Sequence, residues 1–383
     1  MLLREDSQNK TDTIGVSRRE DNMPDAIQRP KTAKLPTVAL AVSVGETEIA
    51  GALISSSGRL MAEKLEPVKH KTVKSTVEAT GKIIVDLATQ SVRERYELKS
   101  IGIALDGNID PESDRITFRG RSGFNWSRVP FRELVEEVLE NSGVDIRYPV
   151  TASPVRAARK SSAHPLIGLC PVGVARALAE SWLGAAEGSR NVFFLSLDSS
   201  ISCGLVLDGR PLNFWNQVGE TISWMPVGGE FAEEYAAHGS LGYHLSESAL
   251  IRKTIEKWTP EISSPLGNLV NTNPGGISTA TIIRAARGGD ALAMSVVEEA
   301  CELVGKTIAS VIALVGPEAV VLDGSFAQLM KPFLSSIKQA TRRWSQPVAI
   351  RNCTTSISKL GNQGVLLGAA RMAFNLANAN QEG

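Results

Sequence analysis

The segment Phe194–Leu212, FLSLDSSISCGLVLDGRPL, sets two apolar runs on either side of the small polar centre Asp198-Ser199-Ser200-Ile201-Ser202. Strand, tight polar turn, strand is the layout of a loop that cradles phosphate, where several backbone N–H groups close on one anion. Such loops rely on glycine, because a backbone without Cβ approaches the anion most closely. None of the five central residues is glycine, and the first is a carboxylate. Two Asp-Gly steps, Asp106-Gly107 and Asp323-Gly324, close other apolar runs. An aspartate before glycine suits a turn for local reasons. It also sets a carboxylate at a strand end, where acid–base chemistry can be done.

The four cysteines, Cys170, Cys203, Cys301 and Cys353, are far apart and form no close pair. Chelating sets start from close spacing, so the pattern predicts buried free thiols in a reducing cytoplasm rather than zinc ligands. Arg156, Arg159 and Lys160 make residues 152–165 a basic, small-residue loop.

Around these residues the chain supplies strands and helices in a repeated order. TVALAVS (Thr37–Ser43) and EIAGALIS (Glu48–Ser55) flank Gly45-Glu46-Thr47 as a first hairpin, and Arg59–Lys64 adds a third strand. Ser75–Arg93 has apolar residues at helical spacing, Ser100–Leu105 reads as a buried strand, Phe131–Asn141 as an amphipathic helix and Ile146–Thr151 as a strand. Val174–Gly188 is helical, and the second hairpin follows it. Residues 216–243 are punctuated by glycine, and mostly helix runs from there to about residue 315. Ala319–Asp323 is a short buried strand, and Gln363–Ala377 a closing helix. Hairpins followed by helices, occurring twice, predict an α/β protein of two related lobes with a cleft between them.

The 383 residues are ample for two domains. Lys plus Arg equals Asp plus Glu at 41 each, so no global field favours nucleic acid or an anionic membrane. No apolar run reaches the roughly 18–20 residues of a membrane span. Residues 1–35 are polar, lack a secretory h-region and read as a disordered tail.

Several motifs stand in one order. They are Ser43-Val44-Gly45-Glu46-Thr47, Gly102-Ile103-Ala104-Leu105-Asp106-Gly107, Trp126-Ser127-Arg128-Val129-Pro130-Phe131, Ala177-Leu178-Ala179-Glu180, Gly219-Glu220, Ala232-Glu233-Glu234-Tyr235-Ala236, Leu322-Asp323-Gly324-Ser325 and Leu367-Gly368-Ala369-Ala370. In this order they resemble the ROK family of repressors, open reading frames and sugar kinases, from about Thr37 to Ala377. The resemblance implies a two-lobed, actin-like ATPase (ribonuclease H-like) fold with a central cleft. It implies a smaller lobe of residues 36–151 plus 363–383 and a larger lobe of 152–362.

The same resemblance implies sugar contacts from Glu220, Glu233 and Asn125. It implies nucleotide contacts from Gly45, Thr47, Ser199, Ser200, Gly324 and Ser325. The sugar kinases of the family use ATP with Mg²⁺ and an Asn-Asp pair just before the Ala-Leu-x-Glu helix. Here those positions fall on Cys170, Pro171 and Val172, and between Pro149 and Ala179 there is no Asp, Glu, Asn or Gln. The first-turn aspartate is Ser43, and Asp198 stands where the first loop glycine would be. The zinc-site histidine position is Ser223, and its clustered cysteines are absent, so no zinc is expected.

The expected function is a catalytically degenerate sugar-kinase homologue that binds a small polar, sugar-like ligand or acts in regulation. One alternative is an active carbohydrate kinase with a relocated base, for which Asp106 is the candidate. The other is a ROK transcriptional regulator lacking its DNA-binding domain, since residues 1–36 are too short for a winged helix-turn-helix. No membrane or direct nucleic-acid partner is expected. A cytoplasmic homodimer is, by analogy with the family. Trp126, Trp215 and Trp224 are candidates for stacking on a ring, and His238 and His244 for partnering Glu233.

Overall fold

The computed structural model describes residues 35–68, 72–110, 112–119, 125–143, 166–198, 200–212 and 221–382. The tail 1–34, the basic loop 152–165, the strand expected over 146–151, and Ser199, Trp215 and Glu220 lie outside them.

Two five-stranded sheets share one plan. The first has the order β3-β2-β1-β4-β8, from β1 (Thr37–Val44), β2 (Glu48–Ser55), β3 (Leu60–Pro67), β4 (Glu97–Leu105) and β8 (Ile167–Pro171). The second has the order β11-β10-β9-β12-β13, from β9 (Val192–Leu197), β10 (Ile201–Leu207), β11 (Arg210–Pro211), β12 (Ala319–Asp323) and β13 (Thr354–Ile357). In each sheet a hairpin supplies antiparallel neighbours and three strands run parallel. The strands β1, β4, β9 and β12 are almost wholly buried, which is why they read as continuous apolar runs rather than alternating ones. The first sheet takes its last strand, β8, from the stretch that the sequence assigned to the larger lobe.

A third, small sheet of β5 (Asn108–Ile109), β6 (Ile116–Arg119) and β7 (Asn125–Val129) was not foreseen, because strands this short carry no readable period. Trp126 on β7 is buried, stacked on Phe131 at 5.3 Å and edge-on to Phe118 at 5.9 Å. It belongs to the core and is not placed to stack on a ligand.

Two helices cover the first sheet, α1 (Val73–Arg93) and α2 (Phe131–Asn141). Then come α3 (Val172–Leu183), α4 (Tyr235–His238), α5 (Ser240–Leu245), α6 (Glu247–Lys257), α7 (Pro265–Thr272), α8 (Thr279–Arg287), α9 (Ala291–Val315), α10 (Ser325–Leu329), α11 (Leu334–Trp344) and α12 (Gln363–Glu382). Helix α9 is the longest. Asp290 caps its first turn by accepting from the Ala293 amide, and Gly316 ends it in the left-handed region. No helix among the described residues is long and apolar enough to cross a membrane.

Helices α3 and α12 lie in a core cluster that includes residues of both sheets, among them Ala39, Ala41, Ala104, Val192, Phe194 and Val321. Their packing is nearly backbone on backbone. A Cβ on Gly173 would stand 2.3 Å from the Cys203 carbonyl oxygen, and one on Gly204 would stand 2.0 Å from that of Gly173. A Cβ on Gly368 would lie 1.7 Å from the Ala175 oxygen, and one on Gly102 would lie 2.0 Å from the Ala369 oxygen. No side chain fits at these positions without moving a helix or a strand.

Gly204→Ala is therefore expected to lower stability by at least about 2–3 kcal/mol, the upper range for overpacking a core. The control is Gly275→Ala, whose added methyl meets nothing closer than 3.8 Å. It should stay within about 0.5 kcal/mol of wild type. Urea denaturation of the three proteins decides the matter, and equal midpoints would show that the α3 junction can yield.

Candidate functional site

The parallel strands of each sheet end on one side, and the residues just beyond them form the candidate site. In the first sheet Val44, Leu105 and Pro171 share one row. The next residues along the three strands are therefore Gly45, Asp106 and Val172. Strand β8 stops at Pro171, which stands at the N-cap of α3 with φ −62°, and Val172 is the first helical residue. Pro171 and Val172, two of the three positions to which the resemblance assigns the family's Asn-Asp pair, thus stand at the mouth of the sheet.

Asp106 is exposed at the end of β4. It is followed by Gly107 at φ +119°, where a Cβ would come within 2.8 Å of the Thr117 carbonyl oxygen. In the first hairpin the Gly45 amide donates to the Glu48 carbonyl at 3.0 Å, and the exposed Thr47 accepts from the Val68 amide through its carbonyl at 2.9 Å. The Gly45 amide is thus used within the turn itself, and the Thr47 carbonyl by the residue that follows β3.

The second sheet presents Asp198, Gly324 and Ser358 at the corresponding edge. Gly324 has φ +96°, and a Cβ there would stand 2.3 Å from the Leu197 carbonyl oxygen, so glycine is required to bring this turn against the end of β9. That approach places the Ser325 hydroxyl 2.8 Å from Asp198 Oδ1 and 2.5 Å from Glu247 Oε1 at the start of α6. A hydroxyl has one proton to donate, so two carboxylates converge on a single donor at this turn. Ser200 lies exposed at the far side of the same turn. Glu247 was missed from sequence, since nothing in its own neighbourhood ties it to a turn far along the chain.

Behind the turn, Asp323 is buried and paired with the Arg176 guanidinium of α3. Gln328 Nε2 donates to Asp323 Oδ1 at 3.4 Å and to the Ser358 carbonyl at 3.0 Å, and Arg176 reaches the Gly361 carbonyl at 3.4 Å. Asp323 thus ties α3, β12 and the entry to α12 together and is spoken for as a structural anion. Glu180, one turn after Arg176, is also buried and accepts from the Ala185 amide at 2.7 Å. Burial raises its carboxyl above the usual carboxylate range. Hydrogen bonds from Ser358 and Ala185 oppose that rise, Asp323 adds to it and Arg176 eases it.

The other candidates scatter. Glu233 is exposed in the turn before α4, and its carbonyl accepts from the Ala236 amide at 3.0 Å. Asn125 is the exposed first residue of β7, paired with Arg119. Trp224 is exposed and Trp126 is in the core. His238 is exposed, whereas His244 is half-buried, with Nε2 2.9 Å from the Tyr235 hydroxyl. Burial lowers its pKa, with Lys253 and Arg252 adding to the effect. His244 is thus partnered by Tyr235 rather than by Glu233.

The residues do not fit the groups that the family's kinases hold. Ser223 packs its Cβ 3.3 Å from the position of a Gly242 Cβ. Cys170, Cys203 and Cys301 are buried, with thiols pushed up to about 12 chiefly by burial. Among the described residues no three His, Cys, Asp or Glu side chains come together as a metal set. The convergence of Asp198 and Glu247 on Ser325 sets two carboxylates at the turn to which the resemblance assigns nucleotide contacts, and like charges repel.

The ROK family model matches residues 39–147 and 174–375, and the chain belongs to this family. It is 24% identical to a glucokinase of Halalkalibacterium halodurans over 90% of this chain and 97% of that one. It is 22% identical to the DNA-binding transcriptional repressor Mlc of Escherichia coli over 89% of this chain and 77% of the repressor. Among solved structures it superposes on the ROK hexokinase of Thermus thermophilus with a TM-score of 0.66 at 22% identity, covering 91% of this chain and 100% of that one. The fold is the actin-like one of the ROK sugar kinases, as the order of motifs led one to expect.

Glu180 yields a pH prediction. A carboxyl whose folded pKa is raised binds its proton more tightly in the folded state. Its contribution is fully present below the ordinary carboxylate value and is lost as pH rises through the raised one. Glu180→Gln keeps an acceptor for the Ala185 amide and removes the charge. The variant should therefore gain on wild type as pH rises out of the acid range in urea denaturation series. A wild type that gains on the variant over that window would contradict the assignment.

Proposed function

We propose that the protein is a ROK-family protein that binds a sugar-like polyol in its cleft without phosphorylating it, and that it serves as a ligand-responsive regulatory protein. The observation that carries the reading is that Cys170, Pro171 and Val172 lead into α3, where the resemblance places the Asn-Asp pair of the family's sugar kinases, and that no Asp, Glu, Asn or Gln stands between Pro149 and Ala179. Loss of general-base assistance alone costs about 10²–10⁴ in rate.

The second support is electrostatic. Two unit negative charges about 4 Å apart repel by about 4 kcal/mol at an effective dielectric of 20. A polyphosphate entering the second turn meets Asp198 and Glu247. A neutral polyol pays no such penalty, and carboxylates suit it because each accepts strong, charge-assisted bonds from hydroxyls. The sugar class of ligand is supported by kinship to a glucokinase, and the regulatory role by kinship to a transcriptional repressor.

An active kinase with a relocated base is the second reading. The observation in its favour is Asp106, exposed beside Val172 in the row of strand ends. Under this reading Asp106→Asn abolishes turnover.

The expected outcome is no phosphate transfer from ATP·Mg²⁺ to glucose, N-acetylglucosamine, N-acetylmannosamine, mannose or fructose. A rate above about 1 s⁻¹, the lower end of ordinary enzymes, would overturn the non-catalytic reading. In a thermal-shift screen of the same sugars, at least one should raise the melting temperature of wild type and fail to raise that of Glu233→Gln. A screen in which no sugar, sugar phosphate or nucleotide moves wild type would remove the binding role.

A further inference from the structure

Residues 228–239 form a strap whose ends are brought together and whose middle is fastened through one side chain. At the ends, the Val227 amide donates to the Ser240 hydroxyl at 3.4 Å. Gly239, with φ +73°, lies against the turn Ile222–Trp224, where a Cβ would stand 2.3 Å from the Ser223 carbonyl oxygen. Gly228 and Gly229, with φ +113° and +79°, form the other end, and a Cβ on either would meet nothing within 4 Å. A short loop with close ends is the Ω form, packed by its own side chains. From Glu230 to His238 every residue but Ala232 and Tyr235 is exposed, and α4 buries none. The amides of Tyr235, Ala236 and Gly239 donate to the Ala232, Glu233 and Tyr235 carbonyls at 3.0, 3.0 and 2.8 Å. These bonds fold the strap on itself and do not fasten it to the rest of the chain.

The fastening is Tyr235. Its ring centroid lies 5.4 Å from that of Tyr243 and 5.5 Å from that of His244, both on α5, and its hydroxyl is 2.9 Å from His244 Nε2. Phe231, on the strap itself, stands edge-on to Tyr235 at 5.9 Å. His244 in turn is faced by charged groups of two further helices. On α6, the Arg252 guanidinium carbon sits 3.6 Å from the Tyr243 ring centroid, and Arg252 donates to the Tyr243 carbonyl at 2.7 Å. Lys253 of α6 is buried and paired with Glu299 of α9. Glu256 lies 3.3 Å from Arg252 Nε, and Glu299 lies 3.0 Å from Lys257 Nζ as well. The two acids near His244 are thus already paired with cations. A neutral imidazole suits this surrounding, and an imidazolium adds a further cation beside Lys253 and Arg252.

We propose that Tyr235 and His244 form a latch that holds the strap 228–239 closed, and that protonation of His244 releases it. The hydroxyl–imidazole bond by itself runs in either direction, since Tyr235 donates to a neutral Nε2 and accepts from a protonated one. The charge is what the closed strap resists. Burial, then Lys253 and Arg252, lowers the pKa of His244, with Glu299 and Glu256 opposing them. Lifting Tyr235 away admits water to the imidazole and relieves the burial, so the proton favours the open strap. A histidine with a lowered folded pKa contributes stability that is fully present above its ordinary value and is lost as pH falls through that value towards the lowered one. The strap carries Glu233, so its release bears on a sugar only under the proposed binding reading. The latch itself does not rest on that reading.

The test uses the full chain with no sugar present, so its outcome is separate from what the cleft binds. A glutamyl endopeptidase cuts after Glu230, Glu233 and Glu234, and mass spectrometry follows those cuts at about pH 8 and about pH 5, the span over which a histidine changes charge. Rates are taken relative to a free peptide of residues 226–241, which cancels the protease's own pH dependence. Protection of the strap in wild type should fall severalfold in acid, while Glu298 and Glu302 of α9 stay uncut, which separates release of the strap from global unfolding. His244→Gln still bonds to a hydroxyl and takes no proton, so it should keep its protection at both pH values. Tyr235→Ala should lack protection at both. The titration of His244 in wild type, followed by NMR, needs no variant and should have its midpoint below the ordinary value of 6.5. Wild-type protection that does not change with pH, an equal loss in His244→Gln, or a Tyr235→Ala strap as protected as wild type overturns the latch. A His244 midpoint at or above the ordinary value overturns it as well.

Discussion

The structure depends on how closely two helices and two strands can approach at Gly173, Gly204, Gly368 and Gly102. Helix α3 leaves the end of β8 in one sheet and packs at once against β10 of the other, so Gly173 meets the Cys203 and Gly204 backbone. Helix α12 presses Gly368 onto the Ala175 carbonyl and Ala369 onto Gly102. Contacts of this kind bring main-chain dipoles within van der Waals range and leave no room for side-chain adjustment. The core around them is accordingly rich in alanine, with Ala39, Ala41, Ala104, Ala175, Ala177, Ala369, Ala370 and Ala373 all buried. Two lobes joined through such a seam keep the ends of their parallel strands facing one cleft, which is what makes a site there at all.

The same seam constrains the residues at the start of α3 unequally. Val172 and Gly173 are the first residues of α3, and packing constrains Gly173 far more than it constrains its neighbour. The scaffold needs glycine at the second position. It sets no comparable limit at the first, where Val172 stands. On the opposite edge, Gly324 is held by its positive φ and by the Leu197 carbonyl. Packing thus fixes the backbone at these glycines more tightly than it fixes the side chains beside them.

That division also marks what the sequence makes legible. The repeated plan of the two sheets, the helices α1, α2 and α3 and the closing helix follow from apolar periodicity and from turn residues, because burial enforces both. The lack of any acid or amide between Pro149 and Ala179 is legible too. The convergence of Asp198, Ser325 and Glu247 is not. It joins three turns distant in sequence, and each residue looks ordinary in its own turn. Asp323 reads as a turn aspartate and proves to be the buried partner of Arg176, because the arginine that neutralises it lies on another helix. The three-stranded sheet over 108–129 is invisible for a simpler reason, the shortness of its strands.

The buried pair of Arg176 and Asp323 marks where the two kinds of constraint meet. Removing one partner of such a pair leaves an uncompensated charge in a poorly solvated place, which typically costs about 3–5 kcal/mol. Asp323 directly precedes Gly324 and Ser325, and Arg176 lies one turn from Val172 and one turn from Glu180. The ion pair therefore ties the turn after β12 in one sheet to the helix that leaves β8 of the other. The two sheets are thereby braced against each other by the chain's own side chains, in addition to the backbone contacts at the glycines.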